Sequence, residues 1–101
     1  MTNVKTTPWY ILNSPEIGNA YQDFNDACKE NGVLDKKTRE LLMMALACVF
    51  RCPQCTEEHL NGALEAGASK TEVTEILLIA ADEGAGTQLA WCKEIFIKYL
   101  G

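Results

Sequence analysis

The chain's only histidine and two of its five cysteines lie close together in Arg51-Cys52-Pro53-Gln54-Cys55-Thr56-Glu57-Glu58-His59. The spacing is Cys-x-x-Cys-x-x-x-His. Proline is favoured at the first position of a helix, where its missing N–H would have no partner. Pro53 at that position makes Cys52 the N-cap and Cys55 the third helical residue. Both sulfurs then face free backbone N–H groups and the positive end of the helix dipole. That setting favours an anion, so at least one thiol is expected to ionise below the ordinary thiol range. His59 follows Cys55 by one helical turn and shares its face. An imidazole there is placed to accept the thiol proton.

Two elements must hold this stretch. Upstream, Asp35 reads as an N-cap and residues 35–50 as a helix, ending in the apolar run Leu41 to Phe50. A sharp return through residues 51 and 52 sets the next helix antiparallel beside it. At roughly 1.5 Å per residue, Glu40 lies about 15 Å before the turn and His59 about 9 Å after it. The two are thus neighbours along the helix pair, directly or through a water. The competing reading makes Glu40 a surface carboxylate paired with Lys36 or Lys37. Carboxylates on an otherwise apolar face are unusual.

A Glu, a Cys-x-x-Cys twelve residues on, and a His four residues after the second Cys together resemble the AhpD-like alkylhydroperoxidases of the carboxymuconolactone decarboxylase superfamily. The likeness covers roughly residues 36–86. It includes the lead-in Leu42-Met43-Met44-Ala45-Leu46-Ala47 and the Ala66-Gly67-Ala68-Ser69 that precedes a further helix. It implies an all-α, oligomeric, thiol-based protein. By the same likeness Cys55 is the peroxidatic thiol, Cys52 the resolving one, His59 the base and Glu40 its partner. The alkylhydroperoxidases carry a second His just before the second Cys, where this chain has Gln54. The superfamily's decarboxylases lack the cysteine pair, so the likeness favours redox chemistry over decarboxylation.

At 101 residues the chain reads as one domain, 1–101, with an N-terminal arm over 1–13. Hydrophobic residues make up 48% of it. A helix apolar on every side needs cover on every side, so a homo-oligomer is expected, and the likeness suggests a trimer or hexamer. Net charge is −5, from 14 acidic and 9 basic residues with no basic cluster. That argues against nucleic acid or an anionic membrane as partner. No leader is read at the N-terminus, and the ten-residue apolar run is too short to span a bilayer. An odd cysteine number without an export signal fits a cytoplasmic protein with reduced thiols better than a disulfide framework.

Taken in order, residues 1–13 read as an extended arm bearing Pro8-Trp9-Tyr10-Ile11-Leu12. Ser14-Pro15 starts a helix with Ile17, Tyr21, Phe24 and Cys28 on one face, and Gly32 stops it. Cys28 reads as a small buried hydrophobe. Lys36, Lys37 and Arg39 oppose the dipole of the following helix. After the motif, Gly67 is a C-terminal cap and Ser69-Lys70-Thr71-Glu72 a capping box. It opens a helix with Val73, Ile76, Leu77 and Ala80 as core. Gly84-Ala85-Gly86 is expected to break or kink the chain. A last helix then runs from about Thr87, with Leu89, Trp91, Cys92, Ile95, Phe96 and Tyr99.

Other readings of the cysteines compete. Cys48, Cys52, Cys55 and His59 could supply four zinc ligands, but zinc sites usually draw on two separated knuckles. Cys48-x-x-x-Cys52-x-x-Cys55 also matches the spacing of radical SAM iron–sulfur proteins, whose barrel is far longer than this chain. A thioredoxin-like motif would need a βαβ setting. A reduced structural pair beside a packed histidine is the bland alternative.

The expectation is therefore a thiol-dependent peroxidase that takes a hydroperoxide and needs no cofactor or metal. An external dithiol, a thioredoxin-like or lipoyl protein by the likeness, would regenerate it. The runner-up is a dithiol–disulfide oxidoreductase or redox sensor. A lactone decarboxylase-like or non-redox oligomeric protein stands behind it.

Overall fold

The computed structural model describes residues 6–101. It contains α1 (Trp9–Asn13), α2 (Pro15–Glu30), α3 (Lys36–Val49), α4 (Pro53–Glu65), α5 (Lys70–Ala90) and α6 (Lys93–Leu100). No strand occurs among the described residues, so the fold is all-α as expected. The chain divides into two compact units, one ending at Asp35 and one starting at Lys36. Each is described by itself.

In the first unit, α2 begins at Ser14-Pro15 as the sequence predicts, although the Ser14 side chain makes no capping bond. The preceding segment differs from expectation. Of the arm expected over 1–13, residues 1–5 lie outside the described residues, and Trp9–Asn13 is a single turn of helix rather than extended chain. The Pro8 carbonyl starts it, accepting the Ile11 and Leu12 N–H groups at 3.0 and 3.2 Å. Tyr10 fixes the turn onto α2, standing edge-on to Tyr21 with ring centroids 5.3 Å apart. Its hydroxyl donates to Gln22 Oε1 at 2.7 Å. The two helices touch at Gly18, where a Cβ would lie 2.8 Å from the Ile11 Cα and the Tyr10 carbonyl oxygen. These are backbone atoms that cannot step aside. Gly18 is the buried residue of α2, while Ile17, Phe24 and Cys28 stay exposed. Cys28 is therefore not a buried hydrophobe, because α1 is too short to cover more than the turn around Gly18.

In the second unit, α3 and α4 form a helical hairpin. Arg51 takes the left-handed conformation at φ 62°. Its N–H bonds to the Cys48 carbonyl at 3.1 Å, and the Cys52 N–H reaches back to the Ala47 carbonyl at 2.9 Å. This pair of bonds is a Schellman ending, which satisfies the last carbonyls of α3 and ends the helix. The same device ends α4. Gly67 stands at φ 97°, with Ala68 N–H on the Ala63 carbonyl at 2.9 Å. The predicted capping box then opens α5. Ser69 Oγ accepts the Glu72 N–H at 3.0 Å, and Glu72 Oε1 accepts the Ser69 N–H at 2.9 Å. Lys37 Nζ donates to Glu72 Oε2 at 2.9 Å, tying the start of α3 to the start of α5. This ion pair answers the apparent misplacement of Lys37 against the α3 dipole.

Leu41, Met44, Ala63 and Ala68 form the core of this unit, with Leu60, Val73 and Ile76 packed against it. Small residues on α4 let the helices approach closely around Met44, which is 1% exposed.

Beyond the core the structure departs from the sequence reading. Helix α5 runs unbroken through Gly84-Ala85-Gly86 to Ala90. Each glycine weakens a helix by about 1 kcal/mol relative to Ala. Turns of better helix formers on both sides keep the ladder intact. The break falls later, at Trp91 and at Cys92 with φ 59°. Neither α5 nor α6 carries a buried residue, and Leu89, Trp91, Ile95, Phe96 and Tyr99 are exposed. Cys92 is likewise exposed rather than core.

Candidate redox site

Cys52 is the N-cap of α4, with φ −110° and ψ 93°, and Pro53 begins the helix. The Cys55 N–H donates to Cys52 Sγ at 3.2 Å. One of the free amides of the helix start thus points at sulfur, as the spacing predicts. Cys52 and Cys55 are joined as a disulfide, with Cα atoms 5.3 Å apart. Both are half-buried and Gln54 is exposed.

Thr56 braces the turn. Its hydroxyl donates to the Cys52 carbonyl at 2.9 Å and lies 3.7 Å from Cys48 Sγ. Cys48 is the third thiol of the neighbourhood and is half-buried. Cys48, Arg51, Cys52, Pro53, Thr56 and Leu60 line an open, mainly apolar cleft of about 490 Å³, with Glu57 at its side. One wall of that cleft is Cys52.

One turn below Cys55, His59 meets a residue from the other arm of the hairpin. His59 Nδ1 and Glu40 Oε2 are 2.7 Å apart, each side chain 16% exposed. The contact is direct, with no room for an intervening water. The Glu40 carboxylate meets His59, while Lys37 Nζ donates to Glu72. A carboxylate can only accept, so His59 Nδ1 carries the hydrogen, and Nε2 is left as the basic nitrogen. A histidine held in one tautomer by a carboxylate is the usual arrangement of an oriented general base.

The structure brings Glu40, Cys52, Cys55 and His59 onto one hairpin, with Glu40 against His59 and Cys52 bonded to Cys55. Among the described residues, no group of three or more His, Cys, Asp or Glu side chains is arranged to hold a metal ion. Three contributors escaped the sequence reading. Arg51 sets the turn, and nothing in its residue type signals a left-handed conformation. Thr56 braces Cys52, and its position four residues after the N-cap was the available sign. Gly62 lies one turn beyond His59 on the same face, directly against Glu40. A glycine inside an otherwise helical stretch was the sign there.

The chain is similar to several proteins of known sequence or structure. The Paracoccus denitrificans protein described as uncharacterised protein 4 in the cox locus is 35% identical over 74 residues, spanning 73% of this chain and 67% of its own. An uncharacterised Haemophilus influenzae protein is 43% identical over 49 residues, 48% of this chain and 43% of its own. A Cupriavidus necator protein is 31% identical over 72 residues, 71% of this chain and 64% of its own. This chain thus spans between two-fifths and two-thirds of the relatives' lengths. The crystal structure of a protein from Methanobacterium thermoautotrophicum superposes with a TM-score of 0.76 at 30% identity, covering 86% of this chain and 98% of that one. The sequence profile of the carboxymuconolactone decarboxylase family matches residues 15–96. With its all-α hairpin and that match over most of its length, the chain belongs to the carboxymuconolactone decarboxylase family.

Proposed function

We propose that this protein is a thiol-dependent peroxidase that reduces hydroperoxides through Cys52 and Cys55. The observation that carries the reading is the Glu40–His59 bond, formed across two helices one turn from the cysteine pair. A pair kept only for structure has no need of an oriented base beside it.

In the proposed cycle His59 Nε2 takes the Cys55 proton. The thiolate attacks the terminal peroxide oxygen, the O–O bond breaks, and the alkoxide leaves as the alcohol after protonation by His59. Cys55 is then a sulfenic acid. Cys52 attacks its sulfur, hydroxide leaves as water, and the disulfide forms. An external dithiol attacks the disulfide and is itself oxidised. In sum, one hydroperoxide and one dithiol give alcohol, water and a disulfide. The amide on Cys52 Sγ favours that sulfur as an anion and so suits a nucleophile, and its resolving role in this cycle follows the family likeness. The helix spacing of the pair supports ring closure with little motion.

A second reading rests on one feature of its own. The open cleft beside Cys52 gives a second dithiol access to that sulfur, which suits disulfide exchange without peroxide. The exposed apolar faces of α5 and α6 support a homo-oligomer, tested by the mass of the protein in solution.

The test is to mix reduced protein with a slight excess of an organic hydroperoxide and follow its mass. Loss of two hydrogens within seconds, mapped to Cys52–Cys55 and abolished by Cys55→Ser, is expected. His59→Ala should slow it about 10²–10⁴-fold, the usual contribution of a general base. A pair that stays reduced with peroxide yet oxidises with a disulfide donor would replace the peroxidase reading by the exchange reading.

A further inference from the structure

Gly62 lies on α4 one turn after His59, with no side chain of its own. A Cβ at this position would come within 2.7 Å of Glu40 Cδ, 2.8 Å of Oε2 and 3.2 Å of Cγ. Real Cβ atoms essentially never approach another heavy atom so closely. The atom nearest after Cδ is Oε2, the same oxygen that meets His59 Nδ1 at 2.7 Å. The carboxylate therefore occupies the volume that any other residue would fill with its first carbon.

We propose that Gly62 is a positioning residue for the redox site, whose missing Cβ admits the Glu40 carboxylate to His59. Glycine otherwise has nothing to recommend it in the interior of α4, where it weakens a helix relative to alanine. The position is half-buried, and its neighbour in the core, Ala63, shows that a methyl group is tolerated where only apolar side chains are faced. What distinguishes Gly62 is the carboxylate across from it. In Gly62→Ala the conflict falls on the tip of a flexible side chain, not on backbone. The relief open to the chain is rotation of the Glu40 carboxylate, which keeps the fold and gives up the bond to His59.

The placement of Glu40 and His59 is independent of the reaction, while the kinetic consequence rests on the proposed peroxidase. The experiment separates the two. Because His59 is the only histidine, its imidazole NMR signals belong to one residue. Wild type should show a downfield Nδ1–H resonance protected by the carboxylate. Glu40→Ala should lose it, and Gly62→Ala should lose it too while melting no lower than wild type. Oxidation of the cysteine pair by cumene hydroperoxide should slow about 10- to 100-fold in Gly62→Ala, by analogy with losing the partner that orients a metal-bound histidine. The same change made in Glu40→Ala should add nothing, since the two act through one contact.

An unchanged Nδ1–H resonance in Gly62→Ala overturns the proposal. So does an equal further loss of rate when Gly62→Ala is added to Glu40→Ala. If Gly62→Ala fails to fold, folding restored in the double variant supports a conflict at Glu40, and failure of both variants overturns the proposal. A wild-type protein inert to peroxide removes the peroxidase reading, and the resonance still decides the role of Gly62.

Discussion

The Cys52 amide donates to the Ala47 carbonyl across 2.9 Å, and this one bond couples the end of α3 to the N-cap sulfur of α4. It requires Arg51 between them to stand at φ 62°. A non-glycine residue in that region costs about 1–2 kcal/mol, whereas glycine there loses about 0.5–1 kcal/mol through its freer unfolded chain. Arg51→Gly should therefore stabilise the protein by about 0.5–1 kcal/mol. Arg51→Val should destabilise it by at least about 1 kcal/mol, since branching at Cβ worsens the strain. Denaturant midpoints for the two variants test the turn, and a loss of stability in Arg51→Gly would contradict it.

Among the described residues Met44 is the largest fully buried side chain, and it fills the space among Leu41, Ala63 and Ala68. The surrounding residues are mostly small and cannot collapse far into a void. Met44→Ala should cost about 2–5 kcal/mol. Urea unfolding should show a lower midpoint with an unchanged slope. A loss below 1 kcal/mol would mean that the core is not organised around this side chain.

Glu72 joins two helix starts. The Ser69 N–H, above all, and then the Lys37 ammonium hold its carboxyl below the ordinary value of 4.5. A carboxylate depressed in the folded state stabilises the fold above its unfolded value, and this contribution is lost as pH falls through the folded one. Glu72→Gln should thus be less stable than wild type at neutral pH, and the two melting curves should converge as the pH drops below 4.5. The effect is small because the carboxyl is exposed, and added salt should shrink it further. A difference that grows on acidification would refute the assignment.

Much of the site could be read from residue type and spacing. Pro53 marked the helix start, and the start marked Cys52 as N-cap. The rise per residue then carried Glu40 to His59 across the hairpin. Those inferences are local, or need only a hairpin bend of known position. Three other features depend on what lies opposite in space. Gly62 looks like a weak point in a helix until Glu40 is seen against it. Gly84 and Gly86 look like a break, but local propensity lost to the helix on either side. Pro8 and Trp9 looked like an extended arm, yet Tyr10 finds Tyr21 and Gln22, and the turn of helix follows. The exposed Cys28 and Cys92 show the limit of apolar periodicity, which marks a face but not what covers it.

The Cys52–Cys55 bridge spans one turn of α4 with its Cα atoms 5.3 Å apart, the separation that residues three apart already have in a helix. The Thr56 N–H still bonds to the Cys52 carbonyl at 2.9 Å across the bridged turn. The bridge thus fits an ordinary helical turn of the hairpin without disturbing its backbone bonds. Under the proposed peroxidase cycle, closing the bridge is then expected to be mechanically silent. On that reading, a partner that distinguishes the two states would have to read the sulfur atoms themselves.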